Sequence, residues 1–447
     1  MPASLSDINN LRTILGRLNA ERPAGLGGST GETPYQEREG DFLRRLDLEV
    51  TSRQGKARVL VTGQIGVGKS SELRHFYQLK RRKEASAFWV HCDLESEEHP
   101  ERCGATGVLL AVFRDCWGAT KNLRDESYRS PRRPSHAFQE FNKIRDEILI
   151  RLIEWLKGEY GDDKKGVDFQ FGGMLFPVFL EEKNRALAMI LGKAAKHEAV
   201  SKPSDRFGLA PDSLVNLLNR LLNWLAERKD GRSPVLIIDH VDKIRDGAAA
   251  HEVLLEIVPE WNRIDASIVM TAPYEYTLGE LRNSVEANWG RPLMVYPVEM
   301  PELDSAQVPS IYWDITKAAG LRSLIDDESL TILSHYSGGV LRTFVQFLIQ
   351  SCKEAHLAGH RSIEPSDARV VVSDYERSYQ DFGSRHLDLL DEIDRKGTGL
   401  GEATVLLRSP IALLVTEPRG EEQQIRVHPS ARAALERHRL KKERALA

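Results

Sequence analysis

Gly63, Gly66, Gly68, Lys69 and Ser70 fall in the order G-x-x-x-x-G-K-S, within the run Gly63-Gln64-Ile65-Gly66-Val67-Gly68-Lys69-Ser70-Ser71. Each residue type has a task that this spacing allows. Glycines let the backbone curl until its N–H groups converge, which makes a cradle for phosphate oxygens. Lys69 adds a compact positive charge for β- and γ-phosphates, and Ser70 offers a hydroxyl to Mg²⁺. The aliphatic run Arg58–Thr62 precedes the loop and reads as a strand, while 71–79 reads as a helix. That helix would aim its positive N-terminus at the same point. An ordinary glycine turn would not need Lys and Ser in those two places. The expected ligand of Gly63–Ser71 is therefore a nucleotide phosphate chain.

A phosphate loop needs a carboxylate on a neighbouring strand to hold the metal, often through water. Asp239 ends the aliphatic run Pro234-Val235-Leu236-Ile237-Ile238, which predicts a parallel strand buried on both faces. Ligands of open α/β sheets lie beyond this carboxyl edge. The bland alternative for Asp239 is a helix cap. Asp242, in Asp239-His240-Val241-Asp242-Lys243, is the candidate to orient or deprotonate an attacking water; its alternative is a structural pair with Lys243 or Arg245. Thr271 ends the strand at 266–273 and can meet the γ-phosphate or the water, unless it is there for β-propensity alone. Arg342 follows Ser337-Gly338-Gly339 at a helix start, from which a lid could reach the γ-phosphate; the alternative is a surface arginine.

These residues need a scaffold. Strands are expected at 58–62, 87–93, 234–239, 266–273 and 293–298, with helices at 108–117, 138–157, 181–197, 213–228 and 248–261 between them. Alternating strands and helices predict a parallel α/β sheet. Upstream lie a short amphipathic helix in 3–20, a linker at 21–34 and a helix starting near Glu37. From about Pro301 the pattern is helical, with candidates at 321–336, 340–355 and 365–379. The order after 383 is helix, short helix (402–407), strand (411–415), strand (424–428), helix (431–440). Divided accordingly, 1–34 is a helix and linker, 35–302 a core with a long insertion at about 118–210, 303–382 a lid, and 383–447 a C-terminal module.

The phosphate loop, the box Leu236 to Asp242, the strand ending at Thr271 and the Ser-Gly-Gly-x-x-Arg box together resemble AAA+ ATPases, most closely the origin-recognition and STAND (NACHT-like) side. The resemblance spans roughly residues 35–380. It implies an α/β P-loop NTPase fold with helices on both faces of a parallel sheet, then a helical lid and a winged-helix-like module. It also implies ATP and Mg²⁺ as ligands, with Arg38 in Tyr35-Gln36-Glu37-Arg38-Glu39 near the adenine. His240 stands where many ring-forming ATPases carry Glu, and a neutral imidazole is a poorer base. An arginine finger from a neighbouring subunit would imply a homo-oligomer; Arg263, Arg282 and Arg291 are its candidates.

The formal charge of −4 over 447 residues argues against a chain that binds nucleic acid by bulk charge. No stretch approaches the ~20 apolar residues of a membrane span, and residues 1–21 lack a signal-peptide core. A cytoplasmic protein is expected. Cys92, Cys103, Cys116 and Cys352 are too dispersed to indicate zinc or a disulfide framework. The leading expectation is an ATP-driven switch that acts on a protein partner or an assembly, in a regulatory or defence setting. The first alternative is a DNA-binding ATPase, suggested by Arg432, Arg437, Arg439, Lys441, Lys442 and Arg444 near the C-terminus. These could equally be a solvated helix face. The second alternative is a nucleotide-locked scaffold with little turnover.

Overall fold

The computed structural model describes residues 4–20, 35–36, 41–53, 56–83, 87–94, 103–120, 143, 147, 211–229, 231–289, 293–296, 301, 303, 308–379, 382–396, 412–416 and 423–446. The expected linker at 21–34, Arg38, Arg291, the expected helix at 181–197 and the short helix at 402–407 lie outside the described residues. Of the expected helix at 138–157, Lys143 and Glu147 are described, and both are helical.

In chain order the first part comprises α1 (Ile8–Leu15), α2 (Phe42–Ser52), β1 (Arg58–Thr62), α3 (Lys69–Lys83), β2 (Ala87–Asp93), α4 (Ala105–Ala119), α5 (Pro211–Arg228), β3 (Ser233–Asp239), α6 (Gly247–His251), α7 (Val258–Arg263), β4 (Ser267–Thr271), α8 (Gly279–Trp289) and β5 (Leu293–Val295). The five strands form one parallel sheet in the order β2-β3-β4-β1-β5. Side chains alternate across it. Leu60, Leu236, Ile238, Ile268 and Met270 face a layer that holds α4 and α5. Val59, Val61, Val235, Ile237 and Val269 face Leu46 and Val50 of α2 and Leu73 and Phe76 of α3. Burial on both faces is why these strands read as unbroken aliphatic runs. This is an α/β P-loop NTPase fold, and its parallel strands bring Thr62, Asp93, Asp239 and Thr271 to one edge.

The helix expected over 248–261 is interrupted. Between α6 and α7 lies a π-helical turn, Glu252–Glu256. Pro259 has no N–H for the carbonyl of Leu255, so the regular ladder cannot run through. The Ile257 N–H reaches back to the Glu252 carbonyl instead. Two indoles take up carbonyls of the turn: Trp261 donates to Val253 at 2.8 Å and Trp289 to Leu254 at 2.6 Å.

The second part is a helical unit of α9 (Ser310–Ala319), α10 (Asp327–Tyr336), α11 (Leu341–Ala358) and α12 (Pro365–Ser378). The helix expected over 321–336 begins later. Gly320 ends α9 in the left-handed region, and the Asp326 carboxylate caps α10 by accepting from Ser329 N–H. α9 itself is absent from the expected helices. α1 and the residues flanking it pack into the core of this unit, burying Leu5, Leu11, Ile14 and Leu18 with Tyr312, Phe344 and Leu348. Four such side chains contribute on the order of 1.5–3 kcal/mol each.

The third part comprises α13 (Ser384–Lys396), the antiparallel pair β6 (Ala412–Thr416) and β7 (Gln423–Val427), and α14 (Arg432–Leu446). Leu390, Ile393, Ile425 and Leu435 are buried in its small core, which also takes in Tyr274 from the turn after β4. His428 Nε2 donates to Ser337 O at 3.2 Å, and Ser430 Oγ donates to Tyr336 O at 2.9 Å. The C-terminal unit therefore touches both the sheet domain and the lid. Among the described residues no helix is long and apolar enough to cross a membrane.

Candidate functional site

The phosphate loop leaves β1 at Gly63 and enters α3 at Lys69. At Gly66 the backbone has φ 88°, which favours glycine, and a Cβ there would lie 2.9 Å from Arg342 Cβ. The Lys69 ammonium is folded into the loop. It donates to Gly63 O at 2.8 Å and Gln64 O at 3.0 Å, and pairs with Asp242 Oδ2 at 2.9 Å. Asp242 is buried, a setting that raises a carboxyl pKa, yet the Lys69 charge and hydrogen bond outweigh this and hold it below the ordinary value. Its second oxygen, Oδ1, is buried without a hydrogen-bond partner among the described residues. An orphaned acceptor of this kind is expected where another group is to bind.

Ser70 lies beside the tip of β3. Its hydroxyl donates to Asp239 Oδ1 at 3.0 Å and is 3.1 Å from His240 Nε2. His240 is the one non-glycine residue with positive φ among the described residues (φ 70°). Its other ring nitrogen, Nδ1, is 2.6 Å from Asp93 Oδ1 at the end of β2. The register of the parallel pair sets Asp93 opposite Asp239, which brings two carboxylates to one imidazole. Burial lowers the His240 pKa, but the Asp239 charge and the Asp93 hydrogen bond prevail and leave it above the ordinary imidazole value. Strain of this type persists only when surrounding contacts over-determine it. Thr271, fully buried at the end of β4, accepts from Val241 N–H at 3.0 Å. It thereby fixes the turn that carries Asp242.

The lid closes the site from the other side. Arg342 N–H donates to Gly66 O at 3.0 Å, and Arg342 Nε donates to Ala20 O at 3.0 Å. Ile311, Ile315 and Val345 of the lid line the same pocket as Gly66, Lys69, Ser70 and Ser71, together with Ala20, Tyr35 and Gln36. Tyr35 is anchored to the core: its hydroxyl donates to Glu72 Oε2 at 2.9 Å, and its ring stacks on His75. Glu72 also accepts from the Tyr296 hydroxyl at 3.1 Å. The pocket lining thus combines charged and polar side chains with aliphatic and aromatic ones.

The structure brings together Ile65, Gly66, Gly68, Lys69, Ser70, Ser71, Asp242 and Arg342 around this pocket. Asp239 stands behind Ser70, and Thr271 stands a layer deeper. Gln64 is buried under the loop, and its carbonyl accepts from Lys69; Val67 is buried against Tyr296. Asp242 meets Lys69. Arg263 is bound to Asp212 and Asn216, and Arg282 to Glu286 at 2.9 Å. Asp93, Ala20, Ile311 and Ile315 belong to the site but not to the sequence motifs. For Asp93 a signal exists, since β2 and β3 both end in Asp. The other three are assembled only by tertiary packing.

No protein-family profile matches this chain, and no curated protein matches it in sequence. Solved structures do resemble it. Cdc6p from Pyrobaculum aerophilum is 14% identical with a TM-score of 0.40, the match covering 93% of this chain and 97% of that one. The Aeropyrum pernix ORC1 protein, solved in complex with DNA, is 12% identical with a TM-score of 0.39, covering 91% and 92%. A Walker-type ATPase of Pyrococcus abyssi is 14% identical with a TM-score of 0.42, covering 97% and 99%.

Proposed function

We propose that this chain is an ATP-binding, ATP-hydrolysing switch of the AAA+ type, in which the lid senses the γ-phosphate. The observation that carries the reading is the convergence of Lys69, Ser70, Asp242 and Arg342, from loop, helix, turn and lid, on one pocket. The donor set fits Mg²⁺. The Ser70 hydroxyl and the Asp239 carboxylate are hard oxygens 3.0 Å apart, and Mg²⁺ commonly takes one or two protein carboxylates plus substrate phosphates. No cage of three acidic, His or Cys side chains is then required, and none is found among the described residues. When bound, the ion offsets charge on the β- and γ-oxygens.

In this reading Lys69 exchanges Asp242 for phosphate oxygens. Asp242, released but still buried, loses the Lys69 contact that held its pKa down, which suits it to orient the attacking water and accept its proton. Thr271 keeps the Asp242 turn in place. Arg342 meets the γ-phosphate and couples its loss to the lid. His240 and Asp93 hold the Ser70 hydroxyl. The resemblance to STAND proteins makes assembly, regulation or defence the setting we favour, with a homo-oligomer or a protein partner as the output.

DNA binding is the second reading. Less of its basic helix is available than the sequence suggests. Arg439 pairs with Asp391 at 2.6 Å and Asp394 at 2.8 Å, and Lys442 pairs with Asp388 at 2.5 Å. A nucleotide-locked scaffold is the third.

Single-turnover hydrolysis with purified protein tests the first reading. Lys69→Ala should abolish nucleotide binding. Asp242→Asn should retain binding and slow turnover ~100-fold or more, the scale of losing a positioned general base. Tight binding by the wild type without turnover would leave the scaffold. Unchanged turnover in Asp242→Asn would make Asp242 a structural partner of Lys69.

A further inference from the structure

We propose that the N-terminal helix α1 is a positioning element for Arg342, and that through it the pocket prefers nucleoside triphosphate over diphosphate. This rests on the nucleotide reading above and adds a determinant that none of the sequence motifs contains.

Arg342 is held at two points. Its backbone N–H is fixed on Gly66 of the phosphate loop, and its Nε is fixed on the carbonyl of Ala20. The chemistry of the second contact matters. A carbonyl orients the guanidinium plane without neutralising its charge, as a carboxylate would. The two terminal amino groups of Arg342 make no hydrogen bond or ion pair among the described residues, and Arg342 lines the pocket. Guanidinium charge and direction are therefore both available for a phosphate.

Ala20 owes its place to anchors remote from the pocket. Leu5, Leu11, Ile14 and Leu18 are buried in the lid core, each at most 5% exposed. The Leu5 N–H donates to Arg361 O at 2.9 Å, and His356 Nδ1 donates to Leu5 O at 2.9 Å. These fastenings lie at the far ends of α11 and of the N-terminal segment from Arg342. They make α1 a fixed part of the lid, which carries the Ala20 carbonyl along with Arg342. Removing them should leave the phosphate loop intact and free the arginine to sample other rotamers.

The test is equilibrium competition on the full chain with Mg²⁺, comparing ADP with the slowly hydrolysed analogue ATPγS. Arg342→Ala should weaken ATPγS about tenfold with ADP nearly unchanged, as expected for one lost charge-assisted contact. The pair Leu11→Ala/Ile14→Ala, neither member of which lines the pocket, should lose the same discrimination. Adding Arg342→Ala to that pair should cost nothing more, because the three act through one contact. His356→Ala removes a single fastening and should give a smaller loss in the same direction; it serves if the pair does not fold. The inference is overturned if the pair, or His356→Ala, lowers the melting temperature yet keeps the full ATPγS preference that Arg342→Ala abolishes. A wild type with no triphosphate preference overturns it as well, while leaving the phosphate-loop reading in place. Binding of both nucleotides by Lys69→Ala as by wild type would instead defeat the nucleotide reading itself.

Discussion

At Gly66 the phosphate loop and the lid come within van der Waals distance. An added Cβ would sit 2.9 Å from Arg342 Cβ and 3.0 Å from Val340 Cγ1, in a backbone with φ 88°. Neither neighbour is a flexible chain end, so lid or loop must move. Left-handed strain of about 1–3 kcal/mol adds to the overlap. Gly66→Ala should therefore lower the melting temperature and weaken nucleotide binding together. Gly118→Ala is the matched control: its Cβ meets nothing within 4 Å, and a helix gains up to about 1 kcal/mol from the change. Differential scanning calorimetry with and without ATPγS separates the two. The phosphate loop is legible in the sequence because its chemistry is local: contiguous residues make one loop. The Asp93–His240–Ser70 chain is not, because its members come from β2, the turn after β3 and the start of α3.

The same contrast holds for whole elements. β1, β3 and β4 are legible because strands buried on both faces need unbroken aliphatic runs. α9 carries a periodic signal too, since Ile311, Ile315 and Ala319 recur at helical spacing with Tyr312 and Thr316 beside them, yet it is absent from the expected helices. The break between α6 and α7 has a local cause in Pro259, but one of the carbonyls it frees finds its donor far along the chain. Trp289 of α8, buried at 5% exposure, donates to Leu254 O at 2.6 Å in the π-helical turn. Without that donor the carbonyl remains buried in an apolar layer. Trp289→Phe should destabilise the chain by about 2–4 kcal/mol, combining an unsatisfied acceptor with lost packing volume. Urea denaturation reads this as a lower midpoint at unchanged slope. A change below about 0.5 kcal/mol would mean that the turn closes its own ladder.

Across the molecule, the third unit is latched to the lid through a histidine that works only when neutral. His428 is fully buried, donates from Nε2 to Ser337 O at 3.2 Å, and accepts at Nδ1 from Ser430 N–H at 3.2 Å. A second proton would occupy Nδ1 and turn the Ser430 N–H into an opposed donor. Burial is the main cause that pushes its pKa down to about 4; nearby His335 adds to this and the Ser337 carbonyl opposes it. The sign of the pH dependence follows. The unfolded chain, with an ordinary imidazole near ~6.5, binds the proton first as pH falls. The stabilisation is therefore whole above about pH 6.5 and is lost as pH drops towards about 4, a change on the order of 3 kcal/mol. Tyr274 of the sheet domain belongs to the same apolar cluster, so release of this latch should loosen the C-terminal unit from both neighbours. Limited proteolysis at pH 7.5 and pH 5 should show earlier cleavage near the C-terminal unit at the lower pH. His428→Gln keeps a donor and an acceptor but cannot titrate, and it should flatten that difference. If the variant keeps the full pH dependence, the instability at low pH arises from carboxylates elsewhere, and His428 is a packing residue of the junction.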